Sequence, residues 1–155
     1  MSAKNKALVL WLFDEVFCRK HCAAIDDLYA PDCYGSSPEG PLLGREDFRT
    51  FFDKYMRAFP DFHFEVNLAV AEGDTVVVHY TFLGTNTATL GVLPATGTKI
   101  RVTGVVISRI AGLLVSQQYF IWDHLGATRL AWLGMIAENR SCQFNKSPDG
   151  CVRRL

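Results

Sequence analysis

Four stretches after residue 62 leave the second half of this chain little choice but a sheet. HFEVNLAVA (63–71), TVVVHYTFLGT (75–85), KIRVTGVVISRI (99–110) and LLVSQQYFIWD (113–123) are rich in β-branched and aromatic residues. They are separated by Glu72-Gly73-Asp74, a loop through Pro94 and Gly97, and Ala111-Gly112, all turn chemistry. The first half reads differently. Leu8, Trp11, Leu12 and Val16, then Ile25 and Leu28, recur at helical spacing, with a break expected near His21 to Ala24. Gly44 to Phe59 is predicted as a further helix, with Phe48, Phe52, Tyr55 and Phe59 on one stripe and Pro60 ending it. Helices followed by meandering antiparallel strands predict an α+β domain in which N-terminal helices pack in a curved, mostly antiparallel sheet. Between the helices, Tyr29 to Leu43 contains Pro31, Gly35, Pro38, Gly40 and Pro41, and is expected to be loop with a short strand at Cys33 and Tyr34.

A chain of 155 residues has room for one domain, expected over 1–136, with a flexible tail at 137–155 where large apolar residues are few. Lys plus Arg and Asp plus Glu both number 16, so the overall field attracts neither nucleic acid nor an acidic membrane. A small apolar partner is the easier expectation. The apolar run Ala7 to Phe13 is too short to span a bilayer and lacks a signal-cleavage pattern, which points to a cytoplasmic protein. Five cysteines, an odd number, argue against a closed disulfide framework and are read as thiols.

A sheet curled around helices leaves a cone with an apolar interior, the kind of space in which small ligands bind. Alternation along the last strand puts Gln117, Tyr119, Ile121 and Asp123 on one face and Gln118, Phe120 and Trp122 on the other. The first set holds most of the polar groups, and it is assigned to the cavity wall. In such a cavity the charged form of Asp123 would be disfavoured, bringing it toward the range useful for moving a proton on carbon. The alternative is that Asp123 sits at the strand end and caps the backbone from His124 to Gly126. His79 lies mid-strand and is either a cavity group that shares a proton near neutral pH or a core or interface histidine. Tyr34 and Tyr55 either close the cavity mouth and donate a phenol to a carbonyl oxygen or pack in the core. His21, His63 and His124 read as surface or loop histidines.

The order of motifs is more specific than any one of them. A Gly44-Arg45-Glu46 helix start, Phe59-Pro60-Asp61, Gly73-Asp74 before a strand, Gly84-Thr85-Asn86-Thr87, Pro94-Ala95-Thr96-Gly97 and Trp122-Asp123-His124-Leu125-Gly126 follow one another as in the SnoaL-like polyketide cyclase or ester cyclase family. From about Leu28 to Leu133 the chain resembles that family, part of the nuclear transport factor 2-like superfamily. The resemblance implies a cone-shaped α+β barrel, often a homodimer through the open face of the sheet. It also implies closure of the last ring of a polyketide by intramolecular aldol condensation, without metal or organic cofactor. The family's acid–base Asp corresponds to Asp123; from the residues themselves, Gln117, Tyr119, Tyr55 and Tyr34 are expected to bind substrate, with His79 as a further catalytic group where the family more often has Arg. Many members carry Glu-His-Trp-Asp where this chain has Gln117-Gln118-Tyr119-Phe120. The expectation is therefore a cofactor-independent cyclase or isomerase acting on a small apolar carbonyl compound of polyketide or terpenoid type. The alternatives are a dehydratase or an epoxide or lactone hydrolase in the same pocket, or a non-catalytic binding or dimerisation module.

Other chemistries find no support. Cys18 and Cys22 with His21 make a poor tetrahedral zinc set. Ser36, Ser37 and Ser108 lack a nucleophile elbow, and no glycine-rich phosphate loop follows a strand. Asn139-Arg140-Ser141 and Asn145-Lys146-Ser147 match the glycosylation pattern at chance frequency.

Overall fold

The computed structural model describes residues 1–91 and 93–133. Helix α1 (Ser2–Leu12) runs on into a π-helical turn (Phe13–Cys18), and together they bury Val9, Leu12, Phe13, Val16 and Phe17. The wider turn ends where Arg19 N–H donates to Asp14 O at 2.9 Å and Lys20 adopts φ 57°. The break expected around residue 21 is thus a left-handed residue one position earlier. A 3₁₀ turn (Cys22–Ala24) and the short helix α2 (Ile25–Leu28) then lead into the sheet.

Four strands form where the sequence predicts them: β3 (His63–Glu72), β4 (Thr75–Thr85), β5 (Lys99–Ala111) and β6 (Leu114–Trp122). They pair as an antiparallel meander, with bulges at Asn67 and after Arg109. The segment expected to be mostly loop is instead a nine-residue strand, β1 (Tyr29–Ser37), followed by β2 (Gly40–Leu43). The prolines do not forbid this. Pro31 falls in the irregular stretch of β1 between Tyr29 and Tyr34, Pro38 sits in the turn, and Pro41 lies on the edge strand, where no ladder N–H is missed. β1 pairs in parallel with β6, giving one open six-stranded sheet in the order β2-β1-β6-β5-β4-β3.

Gly35 makes that parallel pairing possible. A Cβ at this position would stand 1.7 Å from the carbonyl oxygen of Gln118 on β6. Helix α3 (Gly44–Ala58) lies across the concave face and buries Phe48 and Phe52, with Phe59 just beyond its end. The core is therefore a layer of aromatic rings between α1, α3 and the inward residues of the sheet. Each fully buried ring contributes roughly 1.5–3 kcal/mol. Helix α4 (His124–Leu133) follows β6.

The cysteine reading needs correction. Cys18 is disulfide-bonded, whereas Cys22 and Cys33 are free thiols. The odd count did not exclude one bridge among five residues. Cys142, Cys151, the expected tail and both glycosylation-type triplets lie outside the described residues.

Candidate active site: an aromatic cavity at one end of the sheet

One end of the cone is open inside. The start of β3, the end of β4, the start of β5 and the end of β6 meet there with the second half of α3 and the first turn of α4. The centre of a water-sized sphere can move through about 80 Å³ of this space, which opens to solvent at its mouth. Its floor and walls are rings packed edge to face, among them Phe17 on Phe52 at 4.9 Å and Phe59 on Phe82 at 5.2 Å. Leu90 and Leu93 close one side from the connection between β4 and β5. That connection is tied by Asn86, fully buried, whose side chain accepts from Thr96 N–H at 2.9 Å and donates to Ala88 O at 2.8 Å.

Strand parity holds, but the face assigned to the cavity is the wrong one. Phe120 and Trp122 line the cavity, while Gln117 and Tyr119 are on the outer face with Ile121, which is 54% exposed. The inward member of the Gln117-Gln118 pair is Gln118, fully buried; it accepts from the Tyr29 phenol at 2.5 Å and donates to Ser108 Oγ at 2.9 Å. On the outside, Tyr119 donates to Gln117 Oε1 at 3.3 Å. The reason is general. A half-buried strand turns its more apolar face inward, and a ring of polar groups on the other face is no exception because of what the polar groups would be useful for.

His79 is likewise exposed on the outer face, in register with Leu68 and Val105. Tyr34, 45% exposed, stands on the same face beside Gln117. Neither reaches the cavity. Tyr55 does line it, but its hydroxyl donates to the Glu39 carboxylate in the β1–β2 turn, and Lys54 closes on the same carboxylate. Burial first, and then the bond to Glu39, push the Tyr55 phenol far above its ordinary pKa.

Asp123 is exposed and absent from the cavity lining. Its Oδ1 accepts from Gly126 N–H at 2.8 Å, and its carbonyl accepts from Ala127 N–H at 2.9 Å. This is the N-cap geometry. The packing is tight, since a Cβ on Gly126 would lie 2.0 Å from Asp123 Oδ2. The neighbour, His124, is the one that turns in: it lines the cavity and its ring lies 6.2 Å from that of Trp122. His124, expected at the surface or in a loop, is instead the first residue of α4. A cap at 123 starts a helix whose first residue continues the inward side of the strand, and that signal was present in the Asp-His-Leu-Gly run. Tyr80, also missed, projects inward from β4. No Asp, Glu, Lys or Arg is among the described residues that line the space, and no group of three or more His, Cys, Asp or Glu there is placed to hold a metal.

The sequence profile of the SnoaL-like polyketide cyclases matches residues 7–130. The chain belongs to this family. Solved structures agree on the fold. A Jannaschia sp. CCS1 protein assigned as a SnoaL-like polyketide cyclase superposes with a TM-score of 0.77 at 23% identity, over 84% of this chain and 92% of that one. IdmH of Streptomyces antibioticus, assigned as a polyketide cyclase, gives 0.70 at 22% identity, covering 83% and 97%. A Kribbella flavida protein assigned as a ketosteroid isomerase gives 0.61 at 24%, covering 79% and 80%. No curated protein matches the chain in sequence. Among the described residues no helix is long and apolar enough to cross a membrane.

Proposed function

We propose that this SnoaL-like protein is a cofactor-independent cyclase or isomerase that takes a neutral, ring-forming carbonyl compound of polyketide or terpenoid type into the aromatic cavity. The observation that supports this most is a cavity walled by flat rings, in which, among the described residues, side-chain polar groups come only from Tyr55, Tyr80, Trp122 and His124. A substrate folded against such walls has its reacting carbons held together, which alone supplies much of an intramolecular rate gain. In the chemical step a base removes the proton from a carbon next to a carbonyl and an enolate forms. The enolate carbon then attacks a second carbonyl carbon of the same molecule, and the resulting alkoxide takes the proton back. An isomerase would return the proton to a different carbon of the enolate. His124 is the proton carrier in this scheme, and Asp123, instead of acting as acid and base itself, holds the helix turn that aims it.

Mass-spectrometric product analysis with a panel of polyketide and terpenoid carbonyl compounds tests the scheme. The wild-type protein is expected to yield an isomeric or dehydrated product, and Asp123→Asn to yield it within a few-fold of the same rate, since Asn caps a helix as well as Asp. Loss of product in a folded Asp123→Asn protein would make the carboxylate the proton carrier. A second reading, a binding module without catalysis, is favoured by one observation, the lack of any described carboxylate in the cavity lining. It predicts that no compound in the panel changes.

The outer face of the sheet suits a homodimer. Leu68, His79, Val105 and Ile121 form one row across β3 to β6, and Val70, Val77, Ile107 and Tyr119 form the next. Leu68, Val70 and Ile121 are each about half exposed, a contiguous apolar surface of the sort that a two-fold partner covers with its own copy. Sedimentation is expected to show a dimer that Ile121→Lys converts to monomer; a wild-type monomer at micromolar concentration would remove the proposal.

A further inference from the structure

Tyr80 is only 4% exposed and lines the cavity, and its hydroxyl takes part in none of the hydrogen bonds found between described side chains. No fully buried side-chain oxygen or nitrogen among the described residues lacks a partner, so this hydroxyl is not sealed in the core and stays open to an acceptor that enters the cavity. The surroundings are shaped for the phenol. Its partner across the β4–β5 ladder is Gly104, where an added Cβ would lie 2.5 Å from the Tyr80 oxygen and 2.6 Å from its ring carbon. The strand is thus cut away beneath the hydroxyl. The other phenol of the cavity, Tyr55, already spends its proton on Glu39. Burial drives the Tyr80 pKa far up, which keeps it a neutral donor at any ordinary pH.

From this geometry we infer that Tyr80 is the residue that holds the ligand, donating its O–H to the carbonyl oxygen of a neutral, flat ring compound lying among the cavity's aromatic side chains. Neutrality follows from the lining, which holds no Asp, Glu, Lys or Arg among its described residues. Flatness follows from walls made of Phe17, Phe51, Phe120 and Trp122 rings. The inference rests on the cavity being the substrate site, and it adds the group that orients the carbonyl. An enolate formed next to that carbonyl would place its charge on the same oxygen, so the bond would strengthen as the reaction proceeds.

Two probes of one shape separate this role from packing: fluorenone, which has the carbonyl, and fluorene, which lacks it. Calorimetric titration of the wild-type protein and Tyr80→Phe is expected to show fluorenone weakened about 5–10-fold by the substitution, the loss of one neutral hydrogen bond, and fluorene unchanged. The infrared carbonyl band of bound fluorenone should lie below its position in hydrocarbon solvent and return toward it in Tyr80→Phe but not in Tyr55→Phe. Equal weakening of both probes, or a band that does not move, overturns the role of Tyr80 while leaving the cavity as a binding site. Failure of both probes to bind the wild-type protein overturns the cavity reading and this inference with it.

Discussion

Replacing His124 by glutamine is expected to lower turnover by about 10²–10⁴-fold, the usual contribution of a positioned acid–base group. Phenylalanine, leucine and valine cannot exchange a proton. Trp122 offers only an indole N–H. Both phenols, Tyr55 and Tyr80, are held protonated, first by burial and in Tyr55 also by its bond to Glu39. Among the described lining residues, the remaining titratable side chain is the imidazole of His124, a group type able to gain and lose a proton near neutral pH. Glutamine keeps a comparable size and hydrogen-bonding reach without that exchange. Single-turnover product formation by quenched-flow mass spectrometry, on the compound identified in the product screen, reads the effect directly. A folded His124→Gln protein that works at the wild-type rate would remove His124 from the chemistry, and the Asp123→Asn result would then decide whether the exposed carboxylate takes its place.

The largest structural effect is expected at Gly35. The added methyl of Gly35→Ala would sit 1.7 Å from Gln118 O, 2.7 Å from Gln118 C and 3.2 Å from Gln118 N. These are backbone atoms of the central strand β6, and they cannot swing aside as a side-chain tip can. β1 would have to lift from β6 just where Tyr34, Gly35 and Ser36 pair with Gln117, Gln118 and Tyr119. The same movement would disturb Gln118, whose bonds to Tyr29 and Ser108 are fully buried. A loss of about 3 kcal/mol or more is expected, at the upper end of what overpacking costs. For a domain of this size that corresponds to a fall of roughly 6–12 °C in the unfolding midpoint. A thermal melt followed by far-ultraviolet circular dichroism is the measurement, and a midpoint within about 2 °C of wild type would mean that β1 does not lie on β6 as described.

The sequence was a good guide wherever a local rule and the tertiary environment agreed. The four strands from residue 63 onward, the aromatic stripe of α3 and its end before Pro60 all rest on periodicity and turn chemistry, which act over a few residues and need no partner to be read. Strand parity along β6 belongs to the same class: alternate residues must face opposite ways whatever the strand packs against. Which of the two faces meets the core is a different kind of fact. Pattern favoured Phe120 and Trp122 as the inward set, but an expectation of chemistry placed Gln117, Tyr119 and Asp123 there, and burial went with the hydrophobic effect.

Most of the remaining differences turned on partners distant in the chain. β1 could form through Pro31 and Gly35 because β6, more than 80 residues on, offered a parallel edge and a carbonyl that only glycine can approach. Tyr80 became a lone donor because Gly104 stands across from it, and Tyr55 ceased to be one because the β1–β2 turn brings Glu39 to its hydroxyl. His124 entered the cavity because Asp123, one residue earlier, capped the helix that carries it. The sequence alone determined helix α3, the four strands from residue 63 onward and the family, since those follow from short-range pattern and motif order. The cavity's polar inventory was decided by the tertiary structure, because whether a side chain is buried, bonded or open to a ligand depends on atoms that the chain brings together only on folding.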